Sequence, residues 1–170
     1  MSECQNIHQK VIEYLEENRP RYLAAIRELA RIPAPSNHEE QRAIWCKQYL
    51  ESLDATGVVI DDALNVIFPY HVSENSNDLC AILGHTDVVF PDTEPLPFRE
   101  ENGRYYAPGI GDDTTNAVAV MEMAAMAIAL NLQPKTGILF VLNSGEEGLG
   151  NLKGTRQLMK DYGSRISRFY

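Results

Sequence analysis

Apolar residues along this chain change their spacing several times, and each change predicts a different element. From Ile7 to Glu17 the residues Ile7, Val11, Tyr14 and Leu15 recur at helical spacing, and Pro20 is expected to stop that helix. A second helix is expected from Pro20 through Tyr22, Leu23, Ile26 and Leu29 to the prolines of "RIPAP". Asn37, with Glu40 three residues on, predicts a capped third helix with a buried stripe of Ile44, Trp45, Tyr49, Leu50 and Leu53, ended by Gly57. The period then shortens. "VVI", "NVIFPYHV" and "LCAILGH" are β-branched or aromatic runs broken by the polar "SENSND", and they predict strands. The three prolines of "FPDTEPLPF" predict a loop, and Asn102-Gly103 a tight hairpin. "AVAVMEMAAMAIAL", apolar nearly all round, predicts a buried helix; "TGILFVLNS" predicts a buried strand, and "NLKGTRQLMKDY" the start of another helix. Helices alternating with apolar strands point to a layered α/β fold, and no internal repeat is seen.

A chain of 170 residues suits one domain with one sizeable core. Fifteen Lys and Arg against twenty-four Asp and Glu give a net charge of -9, which argues against nucleic acid and anionic membranes as partners. Cys4, Cys46 and Cys80 form no C-x-x-C pair and read as reduced, structural thiols of a cytoplasmic protein. The first twenty residues are polar and charged, unlike an export signal, and no stretch reaches the roughly 18 consecutive apolar residues of a membrane helix.

Functional groups of α/β sheets collect beyond the carboxyl ends of strands. Three polar clusters fall at such ends or at the loop-to-helix junction between them: His85 with Asp87, Asp112 with Asp113, and Glu146 with Glu147. Each alone reads first as a helix-dipole complement or a satisfied structural group. Converging on one rim, however, they would repel each other unless cations sat among them. Imidazole with carboxylates suits zinc, with cobalt or manganese as alternatives, and the lack of cysteine in the clusters points to a catalytic site. Residues two apart on an extended segment face the same way, so Asp87 can accept the ring N–H of His85 and orient its other nitrogen towards metal. Glu146 and Glu147 can divide labour, one on metal and one moving a proton from metal-activated water to a leaving amine. Gly109 and Gly111 let the chain turn before Asp112. "GIGDDT" lacks the third glycine of a dinucleotide fingerprint and puts acids where pyrophosphate would lie, which disfavours such a cofactor. His8, His38 and His71 lie in polar or helical settings and are expected to be exposed.

In this order "GHTDVV", "APGIGDD" and "NSGEEGLG", preceded by "LARIPAPSNHEE", resemble the co-catalytic metallopeptidases of the M20 family (clan MH). That family includes aminopeptidases, dipeptidases, tripeptidases, carboxypeptidases and N-acyl amino-acid deacylases. The resemblance implies an α/β/α arrangement around a central mixed, largely parallel sheet, incomplete in this chain. It also implies two zinc ions and hydrolysis of amide bonds in short peptides or N-acyl amino acids. His85 would bind one ion with Asp87 as its orienting carboxylate, Asp112 would bridge both ions, Glu146 would be the general base, and Glu147 would bind the second ion. Asp113 falls at a position that varies in the family and is not taken as a ligand. Thr114, Thr115 and Asn116 stand where the family often has a lysine and glycines. Members of the family continue with a further carboxylate ligand, a dimerisation domain and a last histidine ligand. Residues 1–170 are therefore expected to be the N-terminal portion of a catalytic domain, metal-poor and slow or inactive alone, and homodimeric in the complete protein. The competing expectation is a non-catalytic α/β binding or assembly fragment with an incomplete metal site.

Overall fold

The computed structural model describes the backbone of residues 3–170 and side chains from residue 7 onward. The elements run α1 (Glu3–Leu29), α2 (Glu40–Ser52), β1 (Val59–Ile60), β2 (Val66–Tyr70), β3 (Leu79–His85), β4 (Arg99–Glu101), β5 (Arg104–Tyr106), α3 (Thr115–Ala129), β6 (Ile138–Asn143), α4 (Lys153–Tyr162) and β7 (Ile166–Phe169). Five strands form one sheet in the order β1-β2-β6-β3-β7, with β2 antiparallel to both its neighbours and β6, β3 and β7 mutually parallel. The fold is thus α/β with a mixed, largely parallel central sheet, as expected.

Strand alternation sorts the core onto two faces. Val66, Phe68 and Tyr70 of β2, with Phe140 and Leu142 of β6, pack with buried residues of α1, α2 and α3 such as Leu29, Leu50 and Met121. The intervening Ile67, Leu139 and Val141 pack on the other face with Leu158 of α4. Helices therefore cover both sides of the sheet, the arrangement that suits nearly continuous apolar strands.

Three expectations for the first helices are corrected. Pro20 does not separate two helices but lies inside α1. Its missing N–H orphans the carbonyl of Glu16, yet Glu16 and Pro20 are both exposed, where water can take the bond. Leu15 before the proline and Tyr22 and Ile26 after it face the same cleft beside Val118 and Met126 of α3, so packing of both halves keeps the helix continuous. Asn37 does not cap α2. The cap position is Glu39, whose carboxylate turns back to accept the Asn37 N–H at 2.8 Å. The buried face of α2 is Arg42, Ala43, Cys46 and Leu50, whereas Ile44 is 52% exposed and Trp45 stacks on Tyr49 at the margin. Leu50 of the expected stripe is buried and Trp45 and Tyr49 pack partly buried against the core, but Ile44 faces out and Arg42, which hydrophobicity alone would leave outside, is buried.

The Asn102-Gly103 hairpin forms as expected, both residues taking positive φ (52° and 71°) between β4 and β5. α3 is buried as expected, but it carries one sequestered charge, Glu122, held by Arg21 of α1 and the Tyr49 hydroxyl of α2. β7, absent from the reading of the sequence, pairs with β3 at the sheet edge. No helix among the described residues is long and apolar enough to cross a membrane.

Two features of this architecture place the site. β3 and β6 run parallel with His85 opposite Asn143, so the segments that leave them arrive on one rim. At Gly84 a Cβ would come within 2.9 Å of the Ala117 backbone. The absent side chain lets α3 lie directly on β3, which brings the aspartates before α3 beside His85.

Candidate metal centre

His85 closes β3 and is 8% exposed. Its Nδ1 lies 3.0 Å from the main-chain carbonyl oxygen of Asp87 and 3.4 Å from the Asp87 Oδ1. Donation from Nδ1 to that carbonyl leaves Nε2 facing the carboxylates of Asp112, at 3.1 Å, and Glu146, at 3.9 Å. Residue 87 thus contacts the ring chiefly through its carbonyl, a refinement of the sequence expectation.

The Asp87 carboxylate is fully buried and joins the rim together. Oδ1 accepts the Glu146 N–H at 2.9 Å, while Oδ2 accepts the Glu147 N–H at 3.0 Å and the Ser36 hydroxyl at 2.7 Å. Burial alone would raise its pKa, but these bonds and that of His85 outweigh it and hold the group down to about 2. His85 shows the same balance, and for a base it moves the pKa the other way. Burial favours the neutral ring, yet hydrogen bonds of Asp87 and Asp112 and the charges of Asp113 and Asp87 push its pKa up to about 9. Glu147 is pushed up by burial and by the charges of Asp112, Asp87 and Glu146, which His85 opposes.

Asp112 and Asp113 sit in an irregular turn over Ile110–Thr114, at φ/ψ of −142°/88° and −130°/17°, joined by a cis peptide bond. The Asp112 side chain is 81% exposed on the rim. Asp113 is tied to neighbouring groups: its Oδ2 accepts the His85 main-chain N–H at 3.0 Å, and its Oδ1 accepts the Asn116 amide. The glutamate loop is held as firmly. Gly145 takes φ 57° under the stem of Lys153, whose Nζ donates to the buried Glu39 at 2.9 Å.

Ligand atoms of His85, Glu146 and Glu147 lie within 4.8 Å of one another, and so do those of His85, Asp112 and Asp113. Of the residues singled out in the sequence, His85, Asp112, Glu146 and Glu147 fall in these two groups, which share His85, and Asp87 joins them through the main-chain N–H groups of Glu146 and Glu147. One imidazole nitrogen among carboxylate oxygens is a donor set for a divalent ion of the zinc class. Burial raises Glu147 most, and the carboxylate repulsion that adds to it is what a dication would offset.

Sequence reasoning missed Ser36, Arg42 and the Glu39–Lys153 pair, none of which carries a local signal. Ser36 reaches the site beside the bridge between Pro35 and Val88, whereas Arg42 and Lys153 reach it from helices α2 and α4. It also left Asp113 without a part, although Asp113 fixes the His85 backbone. His8, His38 and His71 are exposed, as expected. Burial pushes the Cys46 thiol up to about 12, opposed by Arg42, so it is unreactive; Cys4 lies outside the described side chains.

Solved structures share this fold at low identity. Human carnosine dipeptidase 1 superposes with a TM-score of 0.73 at 18% identity, over 95% of this chain and 40% of that one. The dipeptidase Dug1p of Saccharomyces cerevisiae gives 0.69 at 18%, again over 95% and 40%. The YXEP protein of Bacillus subtilis, a dinuclear metal binding peptidase, gives 0.63 at 16%, over 91% and 42%. This chain thus spans about two fifths of the length of each. A comparison with curated protein sequences finds no match. The sequence profile of Peptidase family M20/M25/M40 matches residues 81–169, more than half of the chain and every residue of the acidic rim, and the chain belongs to that family.

Proposed function

We propose that the protein hydrolyses amide bonds in short peptides or N-acyl amino acids, with zinc held by His85, Asp112 and Glu147 and with Glu146 as general base. The observation that carries this reading is the convergence of His85 Nε2 with the carboxylates of Asp112 and Glu146 on the rim where Asp87 anchors both glutamate amides. His85 would hold one ion and Glu147 the other, with Asp112 between them; cobalt or manganese suits the same donors. Bound zinc supplies Lewis acidity, bringing the pKa of water towards neutrality and polarising the scissile carbonyl. The chain's own residues do the rest. Glu146, its side chain 43% exposed, can take the proton of the attacking water on a carboxylate oxygen and return it to the leaving nitrogen. Asp87 orients the His85 ring from behind and fixes the main chain that carries Glu146 and Glu147.

Residues 1–170 read as the N-terminal portion of this catalytic unit, with further ligands supplied by the rest of the protein. The widely spaced cysteines fit a reducing, cytoplasmic setting. The test uses the longest protein that the gene encodes, loaded with zinc and offered a panel of dipeptides, tripeptides and N-acyl amino acids. Release of free amino acid, abolished by a chelator and restored by zinc, is the expected result. No turnover of any panel member with zinc, cobalt or manganese would overturn the reading.

A further inference from the structure

Arg42 is one of the largest fully buried side chains of the protein, on the inward face of α2, and it belongs to none of the motifs that point to the rim. Its guanidinium spreads over three segments. Nε donates to the Ile32 carbonyl at 2.8 Å; Nη1 donates to the Thr86 carbonyl at 3.0 Å and to Thr114 Oγ1 at 3.1 Å. Thr86 lies between His85 and Asp87, and Thr114 directly follows Asp113. Among the described residues Nη2 donates to no protein atom, and the charge of Asp87 reaches the guanidinium only through space.

Burying a cation without a carboxylate against it is costly, and a Leu or Met would fill this face of α2 without that penalty. Burial indeed lowers the pKa of the group to about 10, against the pull of Cys46 and Asp87. What Arg42 offers in return is reach. A planar fork of donors can bond acceptors on separate segments at once, which one ammonium cannot reproduce.

We infer that Arg42 is a positioning residue of the metal centre: its guanidinium ties the His85–Asp87 segment to the Asp112–Thr114 turn from behind and sets the spacing between their ligand atoms. This rests on reading the rim as a metal centre. Its contacts with the ligands are indirect, so it acts through Thr86 and Thr114. Substitution should therefore show in metal affinity and coordination geometry as well as in stability.

The test compares the longest encoded protein with R42K, R42M and T114V. Three quantities are read: the zinc dissociation constant by competition with a chromophoric chelator, the visible spectrum of the cobalt-loaded protein, and the melting temperature of the metal-free form. R42K and R42M are expected to bind zinc about 10–100-fold more weakly. T114V, which removes one end of the tie and keeps side-chain shape, should shift in the same direction with an altered cobalt spectrum. If R42M fails to fold, R42K and T114V decide. Wild-type zinc affinity and cobalt spectrum in both, even with a lowered melting temperature, would make Arg42 a fold residue only and overturn the inference. If the unsubstituted protein binds neither zinc nor cobalt, the metal-centre reading itself falls and takes this inference with it.

Discussion

Glu146→Gln in the longest encoded protein is expected to lower kcat by about 10²–10⁴-fold, the range lost when a general base is removed, while zinc content and KM stay near their original values. The amide keeps the size of the side chain and the Glu146 main-chain bond to Asp87 at 2.9 Å, so the loop has no reason to move. What disappears is a carboxylate oxygen able to take a proton. Glu147→Gln provides the contrast, because on this account it weakens metal binding first and turnover as a consequence. Steady-state kinetics with metal analysis of both variants separates the two parts. Unchanged kcat in Glu146→Gln contradicts its assignment as base; loss of zinc from that variant would make Glu146 a ligand instead.

The second large effect is expected at Asp87. Both carboxylate oxygens accept bonds from a fully buried position, Oδ1 from the Glu146 N–H and Oδ2 from the Glu147 N–H and the Ser36 hydroxyl. Asn has one acceptor oxygen, so whichever way its amide turns, an NH₂ group meets a main-chain N–H. At least one charge-assisted bond is lost inside the protein, a cost of about 2–3 kcal/mol. For a chain of this size that corresponds to a fall of roughly 5–10 °C in melting temperature. The loop bearing both glutamates is released at the same time, and zinc affinity should fall about 10–100-fold. Thermal melts of the metal-free Asp87→Asn protein and zinc competition measure the two effects separately. A melting temperature equal to that of the unsubstituted protein would contradict the bonding described for this carboxylate.

The central layers of the fold are legible in the sequence because their patterns are long and consistent. α3 is an unbroken apolar helix, and β3 and β6 are short apolar runs ending in polar residues. Where one local rule competed with packing, the rule lost. Pro20 is a helix breaker by its own chemistry, but the apolar residues on both sides of it share one cleft against α3. The stripe drawn on α2 counted Ile44 and could not anticipate that a charged residue, Arg42, would be the one buried. β7 offers only "ISRF", with two adjacent polar residues that break any period-two alternation, and becomes a strand by pairing with β3.

The rim was legible for a different reason: one His–Asp pair and two acidic pairs fall at strand ends or at the loop-to-helix junction between them, where chemistry collects, and the order of their motifs is specific. The residues behind the rim were not legible. Ser36 meets Asp87 across 51 positions, and Arg42 meets Thr86 and Thr114 across 44 and 72. Such partners are created by the tertiary fold, so no local period or spacing announces them. Asp113 is an intermediate case. Its neighbour Asp112 faces out while Asp113 bonds the His85 main chain, a division of labour set by the turn between Gly109 and Thr114.

All of this depends on divalent cations occupying the rim. The most direct measurement is an anomalous difference map from crystals of the protein grown with zinc, with data collected on both sides of the zinc absorption edge. The account predicts peaks about 2.0–2.2 Å from His85 Nε2 and from carboxylate oxygens of Asp112 and Glu147. A map with no peak there, or with zinc bound only elsewhere on the surface, would contradict it.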